Sequence, residues 1–108
     1  MNNSVKIFKF KVAVGITFQK LRLAKIIDTK SMTQQSLNDE ISIKYNKTWN
    51  SAREESLPNT TIENLYIICD YFNLSLGQFF KLVYSIPNKE IEDTIKNKKK
   101  LSRLYKNL

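Results

Sequence analysis

Residues 32–54 have the sequence MTQQSLNDEISIKYNKTWNSARE, and this stretch decides the predicted fold. Thr33 is a good N-cap for a short helix over 34–41, because its hydroxyl can accept a hydrogen bond from a backbone amide left free at a helix start. Leu37 and Ile41 lie four residues apart, so they share one face of that helix. The first half of the stretch therefore predicts a short helix that packs through Leu37 and Ile41.

The second half predicts a turn and another short helix. Residues 42–46 have no strong periodicity, so we expect the turn there. The next helix runs from about Lys47 to Glu54, with Trp49 and Ala52 directed inward three residues apart. Trp49 is then expected to anchor the core. The side chains left facing outward are polar: Lys44, Tyr45, Asn46, Lys47, Thr48, Asn50 and Ser51.

Apolar periodicity predicts further helices on both sides of this pair. One covers about 12–27 and leads into a polar connection at 28–31. Another opens at Thr60–Glu63, which matches a capping box, and ends near Asn73, a plausible left-handed terminator. A second capping box at Ser75–Gln78 opens a helix that continues to about Ser85, before Pro87. The prediction is an all-α domain of five helices over residues 12–86.

The two ends of the chain are predicted as additions to that domain. Residues 1–11 half alternate apolar and basic side chains, which suits either a short strand or the early turns of the following helix. Residues 87–108 can form a basic helix with Ile91, Ile95 and Leu101 along one side, interrupted by Lys98–Lys100. We expect this segment to lie outside the core, either as an appendage for pairing or for DNA binding or as a frayed tail.

Charge is distributed unevenly along the 108 residues, whose formal net charge is +8. Residues 1–30 contain seven Lys or Arg and one Asp, and residues 86–108 contain seven Lys or Arg and three acidic residues, whereas the middle is close to neutral. An excess of this size favours an anionic partner, nucleic acid before an anionic membrane surface, although it also suits a chain kept soluble by its charge.

Other features of the composition argue against catalysis and metal binding. The chain has no histidine, one cysteine (Cys69) and two glycines far apart, so it lacks the usual general base, zinc ligands and phosphate-cradling loop. Cys69 is expected to be buried. The carboxylate pairs, including Glu54–Glu55, lie in polar stretches and are expected to be solvated. We therefore predict no enzyme activity, cofactor, metal or small-molecule substrate. Without a membrane segment or signal peptide, the expected compartment is the cytoplasm.

Three motifs in order resemble the lambda-repressor-like (Cro/CI, XRE-type) helix-turn-helix domains. GITFQKLR at 15–22 is similar to the family's opening G-x-x-I-x-x-L-R, and MTQQSL at 32–37 is similar to its L-T-Q-x-x-L. IENLYIICDYFNLSL at 62–76 is similar to L-E-T-L-x-x-I-A-D-A-L-x-V-S-L, and Phe79-Phe80 fits the end of its fifth helix. The chain departs from the family in about five additional residues between Arg22 and Thr33. It also has Ser42 at the turn glycine, and Arg53-Glu54-Glu55 in place of E-R-G.

The resemblance implies a sequence-specific transcriptional regulator, expected to be a repressor, that binds a two-fold symmetric operator in double-stranded DNA as a homodimer. It implies a recognition helix at about 46–54, a phosphate contact by Gln34 and a further backbone contact by Asn59. The residues expected to contact bases or phosphates from the helix pair are the outward-facing Lys44, Tyr45, Asn46, Lys47, Thr48, Asn50 and Ser51. Either end of the chain could form the dimer surface. The alternative is a protein-interaction module, such as an antitoxin component, that uses this fold with little or no reading of DNA.

Overall fold

The computed structural model describes residues 2–108, and 71% of these residues lie in helices. The described residues form seven helices and one two-stranded sheet, where the sequence predicted five helices and a helical tail. The elements are α1 (Asn3–Ala24), β1 (Ile26–Ile27), β2 (Lys30–Ser31), α2 (Gln34–Tyr45), α3 (Ser51–Glu54), α4 (Ile62–Tyr71), α5 (Leu76–Ser85), α6 (Asn88–Asn97) and α7 (Lys99–Lys106).

Helix α1 includes the segment predicted as an N-terminal extension. Asn2 caps it by accepting a hydrogen bond from the Val5 backbone N–H at 2.8 Å, and the helix continues without interruption to Ala24. Phe8 and Val12 are both buried in the core. Of the two structures left open for residues 1–11, the helix is therefore the one observed over the described part, and the expected boundary after residue 11 falls inside it.

A small hairpin replaces the polar connection predicted after the first helix. Helix α1 ends three residues earlier than expected, and β1 pairs antiparallel with β2. Asp28 and Thr29 link the strands with φ angles of 49° and 70°, and two successive positive φ angles are what a type I′ hairpin turn requires. The hairpin lies between Arg22 and Thr33, where the chain is longer than the family pattern.

The two central helices differ in length from the prediction. Thr33 is the N-cap of α2, as expected, but α2 continues through Tyr45 and ends at Asn46, whose φ of 55° is left-handed. The turn predicted at 42–46 is therefore wrong. The helix predicted over 47–54 is also wrong, because α3 comprises only Ser51–Glu54 and begins after Asn50. Trp49 is buried just before α3 begins, whereas Ala52 is exposed.

Helices α4 and α5 lie where the sequence placed them. The N-cap of α4 is Thr61, whose hydroxyl accepts from the Asn64 backbone N–H at 3.1 Å, so the capping box predicted at Thr60–Glu63 is not the one formed. The left-handed residue Asn73 ends the first of these helices, as predicted. The capping box of α5, formed reciprocally by Ser75 and Gln78, is also confirmed.

The C-terminal residues belong to the core, so the expected appendage or frayed tail is wrong. They form two helices, α6 and α7, and α6 packs against α1. Ile91, Ile95 and Leu101 are 9%, 5% and 0% exposed. The apolar stripe predicted from the sequence is therefore buried, with α6 packed on α1 and α7 packed on α6.

Phe18 of α1 occupies the centre of the core. Its ring meets Trp49 edge-on with centroids 5.1 Å apart, and Phe79 of α5 lies 5.2 Å away. One turn earlier, α1 has Gly15, where an added Cβ would lie 3.1–3.3 Å from three carbonyl oxygens of residues 54–56. The missing side chain allows α1 to lie directly against the chain leaving α3.

Candidate nucleic-acid interface

Polar side chains form an exposed surface between α2 and α3, which we call the α2–α3 ridge. Beneath it, Trp49 is 4% exposed, and Leu37 and Ile41 are each 1% exposed. The backbone of residues 46–50 is not helical, and all three side chains belong to the buried core. The exposed members of the ridge are Lys44, Asn46, Lys47, Thr48, Asn50 and Arg53. Five predicted site residues, joined by Arg53, thus lie close together along the chain, but on a different backbone from the predicted recognition helix.

The ends of the ridge are fixed by asparagines. Asn46 ends α2 in the left-handed conformation, which asparagine adopts more readily than most residues. Asn50 caps α3 by accepting from the Arg53 backbone N–H at 3.1 Å. Asn38 of α2 accepts from the Ser51 backbone N–H at 2.9 Å and from the Ser51 hydroxyl at 2.7 Å. These hydrogen bonds fix both ends of the polar segment, between which the backbone is not helical.

Ser51 is wrong as a DNA-contacting residue. Its side chain is 0% exposed, and its hydroxyl is directed at Asn38 and the backbone carbonyl of Gln34, at 2.7 and 3.3 Å. A side chain in this position joins α3 to α2 and cannot reach a nucleic acid. Asn38, which the sequence did not single out, is the partner that makes this joint.

Gln34 and Asn59 flank the ridge and take part in internal hydrogen bonds. The Gln34 amide donates to Glu55 Oε1 at 3.2 Å, so its expected contact with a phosphate competes with this bond. The backbone N–H of Asn59 donates to Glu54 Oε1 at 3.1 Å, while the Asn59 side chain is exposed. The Asn59 side chain is therefore available to a ligand, whereas the Gln34 amide can bind one only if it breaks its hydrogen bond to Glu55.

Two carboxylates expected to be solvated are buried under the ridge. Glu54 is 1% exposed and accepts from the Thr60 hydroxyl and the Asn59 backbone. Glu55 is 4% exposed and pairs with Arg22 through Nε–Oε2 and Nη2–Oε1 contacts of 2.7 and 2.9 Å. Such a two-pronged pair is strong and fixes orientation. Arg22 also donates to the Met32 carbonyl at 2.7 Å, so it connects α1 to both ends of the central helix pair.

Tyr45 is half-buried beside the ridge, and its hydroxyl is engaged in an internal hydrogen bond. Its hydroxyl donates to Asp70 Oδ2 at 2.7 Å. Partial burial, together with this hydrogen bond to a carboxylate, raises the pKa of Tyr45 to about 12. Lys44 lies with its ammonium 5.9 Å from the Tyr45 ring and 5.7 Å from the Tyr71 ring, within cation–π range. Tyr45 thus supports Lys44 and is not itself a free donor.

The ridge carries little unbalanced charge. Lys47 Nζ lies 2.6 Å from Glu63 Oε1, and Arg53 Nε lies 3.8 Å from Glu54 Oε1. Lys44 forms no ion pair with another described residue. A ligand at this surface therefore meets amide and hydroxyl groups more than free cations, which is suited to hydrogen-bond recognition.

The chain matches no family model, and no similar protein was found among curated proteins or solved structures. Over residues 2–108, no helix has both the length and the apolar character needed to span a membrane. In the same residues, no three His, Cys, Asp or Glu side chains are grouped so that they could hold a metal ion.

Proposed function

We propose that the chain is a sequence-specific DNA-binding transcriptional regulator of the lambda-repressor-like helix-turn-helix type. The observation that supports this proposal best is the α2–α3 ridge itself. It presents exposed polar side chains in succession at Asn46, Lys47, Thr48 and Asn50, and they are anchored from beneath by Trp49. Amides and lysines are the groups that read base edges in the major groove, since Asn pairs with adenine and Lys with guanine.

The proposed contact differs from the usual recognition helix. Helix α3 has four residues, so the base-reading side chains come from the connection before it, and Arg53 follows from its exposed side. We assign Asn46, Lys47, Thr48 and Asn50 to base edges, and Lys44 and Arg53 to phosphates. Lys47 and Arg53 would exchange their ion pairs with Glu63 and Glu54 for contacts with DNA, which makes binding sensitive to salt.

The proposal includes a homodimer that places two ridges on one two-fold symmetric operator, where bound protein would block transcription. An exposed apolar surface on α1 and α5 is the strongest candidate for the dimer contact. Ile7, Phe10 and Tyr84 are 58%, 38% and 76% exposed, and the Phe10 ring lies 6.3 Å from Phe80 and 6.0 Å from Tyr84. The C-terminal helices are a weaker candidate, because Ile95 and Leu101 already pack inside the protomer.

The decisive experiment selects genomic fragments that the purified protein retains, followed by gel-shift titration of the best fragment. Replacing Asn46 and Lys47 by Ala should weaken specific binding by roughly 1–3 kcal/mol for each side chain that pairs with a base edge. Replacing the exposed residues Lys30 and Asn73 by Ala makes the same chemical change outside the ridge, including the loss of a left-handed asparagine at a helix end, and should have little effect on fragment preference. Equal weakening in both variants, or no preferred fragment, would contradict the proposal.

A second candidate function is the protein-interaction module, which is favoured by the near-neutral ridge and the exposed aromatic surface. In that case Phe10 and Tyr84 bind another protein, and the ridge is only a polar face of the domain. The two functions differ in one measurement. A regulator prefers particular genomic fragments over random DNA and loses that preference when Asn46 and Lys47 are replaced, whereas the module shows no preference at any salt concentration.

A further inference from the structure

Four exposed cations on α7 form a surface that we call the α7 basic face: Lys99, Lys100, Arg103 and Lys106. Helix α7 contains no acidic residue, and no ion pair joins any of these four to a carboxylate of residues 2–108. They contrast with the cations of the α2–α3 ridge, where Lys47 and Arg53 are both paired. The α7 basic face therefore carries four positive charges that no carboxylate of residues 2–108 balances.

The neighbouring carboxylates do not neutralise this face because each one has another partner. Glu92 binds Lys9, and Glu90 binds Lys20, both at 3.0 Å and both across to α1. Asp93 pairs with Lys89 on its own helix at 3.6 Å. The hydrogen bonds from Lys9 and Asn88, with the nearby Lys9 charge, lower the pKa of Glu92 below its ordinary value, which keeps this carboxylate ionised and engaged.

The helix that carries the charges is anchored by its other side. Leu101 is 0% exposed, Leu104 and Tyr105 are half-buried, and the Tyr105 ring lies 5.9 Å from Phe8 of α1. An amphipathic helix that binds a membrane surface needs its apolar side free to enter the lipid. Here that side packs against the protein. The charged side alone is left for a ligand, and a polymer of phosphates suits it better than a bilayer.

We infer that the α7 basic face binds the phosphate backbone of duplex DNA without regard to sequence. Lys99, Arg103 and Lys106 lie along α7, and the seven helical steps from Lys99 to Lys106 cover about 10 Å, a length over which duplex DNA carries about six charges. When Lys and Arg bind phosphates they release counterions and supply affinity rather than sequence preference. The inference deepens the proposed function and rests on it only for the choice of DNA as the polyanion.

The two surfaces are separate on the molecule. Tyr105 of α7 contacts Phe8, whereas Trp49 under the ridge contacts Phe18, and ten residues of an α-helix span about 15 Å. Substitutions in one surface therefore leave the side chains of the other untouched. This separation allows the failure of one assignment to be distinguished from the failure of the other.

The test compares two variants that lose the same charge from exposed positions. The first replaces Lys99 and Arg103 by Gln, and the control replaces Lys30 and Lys81 by Gln, so both fall from +8 to +6. Binding to a short duplex of random sequence is measured by fluorescence anisotropy between about 50 and 200 mM salt. We expect both variants to remain folded, because none of the four side chains is buried, and circular dichroism checks this.

Removing two cations that bind phosphates should reduce the slope of log affinity against log salt by about 1.8 in the α7 variant, with little change in the control. Equal reductions in the two variants would mean that only overall charge matters, and would overturn the inference. An unchanged slope in the α7 variant, or weaker binding to phosphatidylserine vesicles but not to DNA, would also overturn it. Replacing Asn46 and Lys47 tests the ridge independently through the preference among genomic fragments, which the α7 variant should keep.

Discussion

The buried ion pair between Arg22 and Glu55 should determine both stability and the position of the ridge. The exposed fractions of the two side chains are 9% and 3%, and two N–H···O contacts of 2.7 and 2.9 Å join them. Replacing Glu55 by Gln preserves the size of the side chain but leaves the Arg22 guanidinium buried without an opposite charge. Breaking a buried pair from one side costs about 3–5 kcal/mol.

We expect a loss of stability near the lower end of that range, about 3 kcal/mol, because the Met32 carbonyl and an amide oxygen at 55 still accept from Arg22. A domain of this size loses about 4–8 °C in Tm for each kcal/mol, so Tm should fall by about 12–24 °C. Glu55 also accepts from Gln34 at the start of α2. The same substitution should therefore loosen the attachment of α2 to the chain that follows α3.

Urea unfolding followed by circular dichroism measures the effect, with Arg22→Met/Glu55→Leu as the companion variant. The double variant removes both charges, and we expect it to be more stable than the Glu55→Gln protein, since apolar replacement of a whole buried pair is often neutral. A change below about 1 kcal/mol for Glu55→Gln is what an exposed pair gives. That result, or a double variant less stable than the single one, would refute the assignment of this pair as a buried anchor.

Three further predictions concern other parts of the molecule. Leu101→Ala should lower the free energy of unfolding, measured in urea, by about 2–5 kcal/mol. Leu108→Ala, at a 47% exposed position, should lower it by less than about 0.5 kcal/mol. Small losses in both variants would contradict the packing of α7. Burial raises the pKa of the Cys69 thiol to about 11, so roughly one thiol in a thousand is ionised at pH 8, and a thiol reagent should label Cys69 rapidly only after unfolding. Because the pKa of Glu92 is lowered in the folded protein, its stabilising effect is complete above the unfolded value of about 4.3 and is lost as pH falls through the folded value. The difference in Tm between the native protein and Glu92→Gln should therefore shrink in acid, and a difference independent of pH would oppose this.

Local signals in the sequence were sufficient where a residue and its partner lie within one turn. Thr33 and the Ser75–Gln78 box were predicted as caps and are observed, because the donor and acceptor are three residues apart. Asn73 was predicted as a left-handed terminator and is observed as one, because asparagine tolerates this backbone conformation at a helix end. The predominance of helix, the anchoring role of Trp49 and the burial of Cys69 also follow from short-range pattern and composition.

Errors arose where a local pattern has two physical solutions. Asparagine can end a helix in the left-handed conformation or begin one as an N-cap. Asn46 does the first and Asn50 the second, so the helix predicted over 47–54 is reduced to Ser51–Glu54. The spacing of Trp49 and Ala52 fitted a helix by coincidence, because Trp49 is buried from the connecting segment.

Other errors came from partners far along the chain. Glu55 looks like a solvated carboxylate beside Arg53 and Glu54, and only its pairing with Arg22, 33 residues earlier, shows why it is buried. Likewise, Leu101 could be recognised as core only by knowing that α6 packs on α1 and that α7 packs on α6. Burial of charge and docking of terminal helices depend on tertiary neighbours, which periodicity does not reveal.

The positions of the charges suggest a division of roles between the two proposed DNA-binding surfaces. Base edges are distinguished by directional hydrogen bonds, for which the amides of Asn46 and Asn50 suffice, whereas affinity for any duplex comes from cations that displace counterions. The α2–α3 ridge offers the first kind of group, since Lys47 is already paired with Glu63, and the α7 basic face offers the second. Substitutions on α7 should therefore lower affinity for all DNA sequences alike, while substitutions of Asn46 and Asn50 on the ridge should lower the preference among them. A single surface serving both purposes would instead lose affinity and preference together.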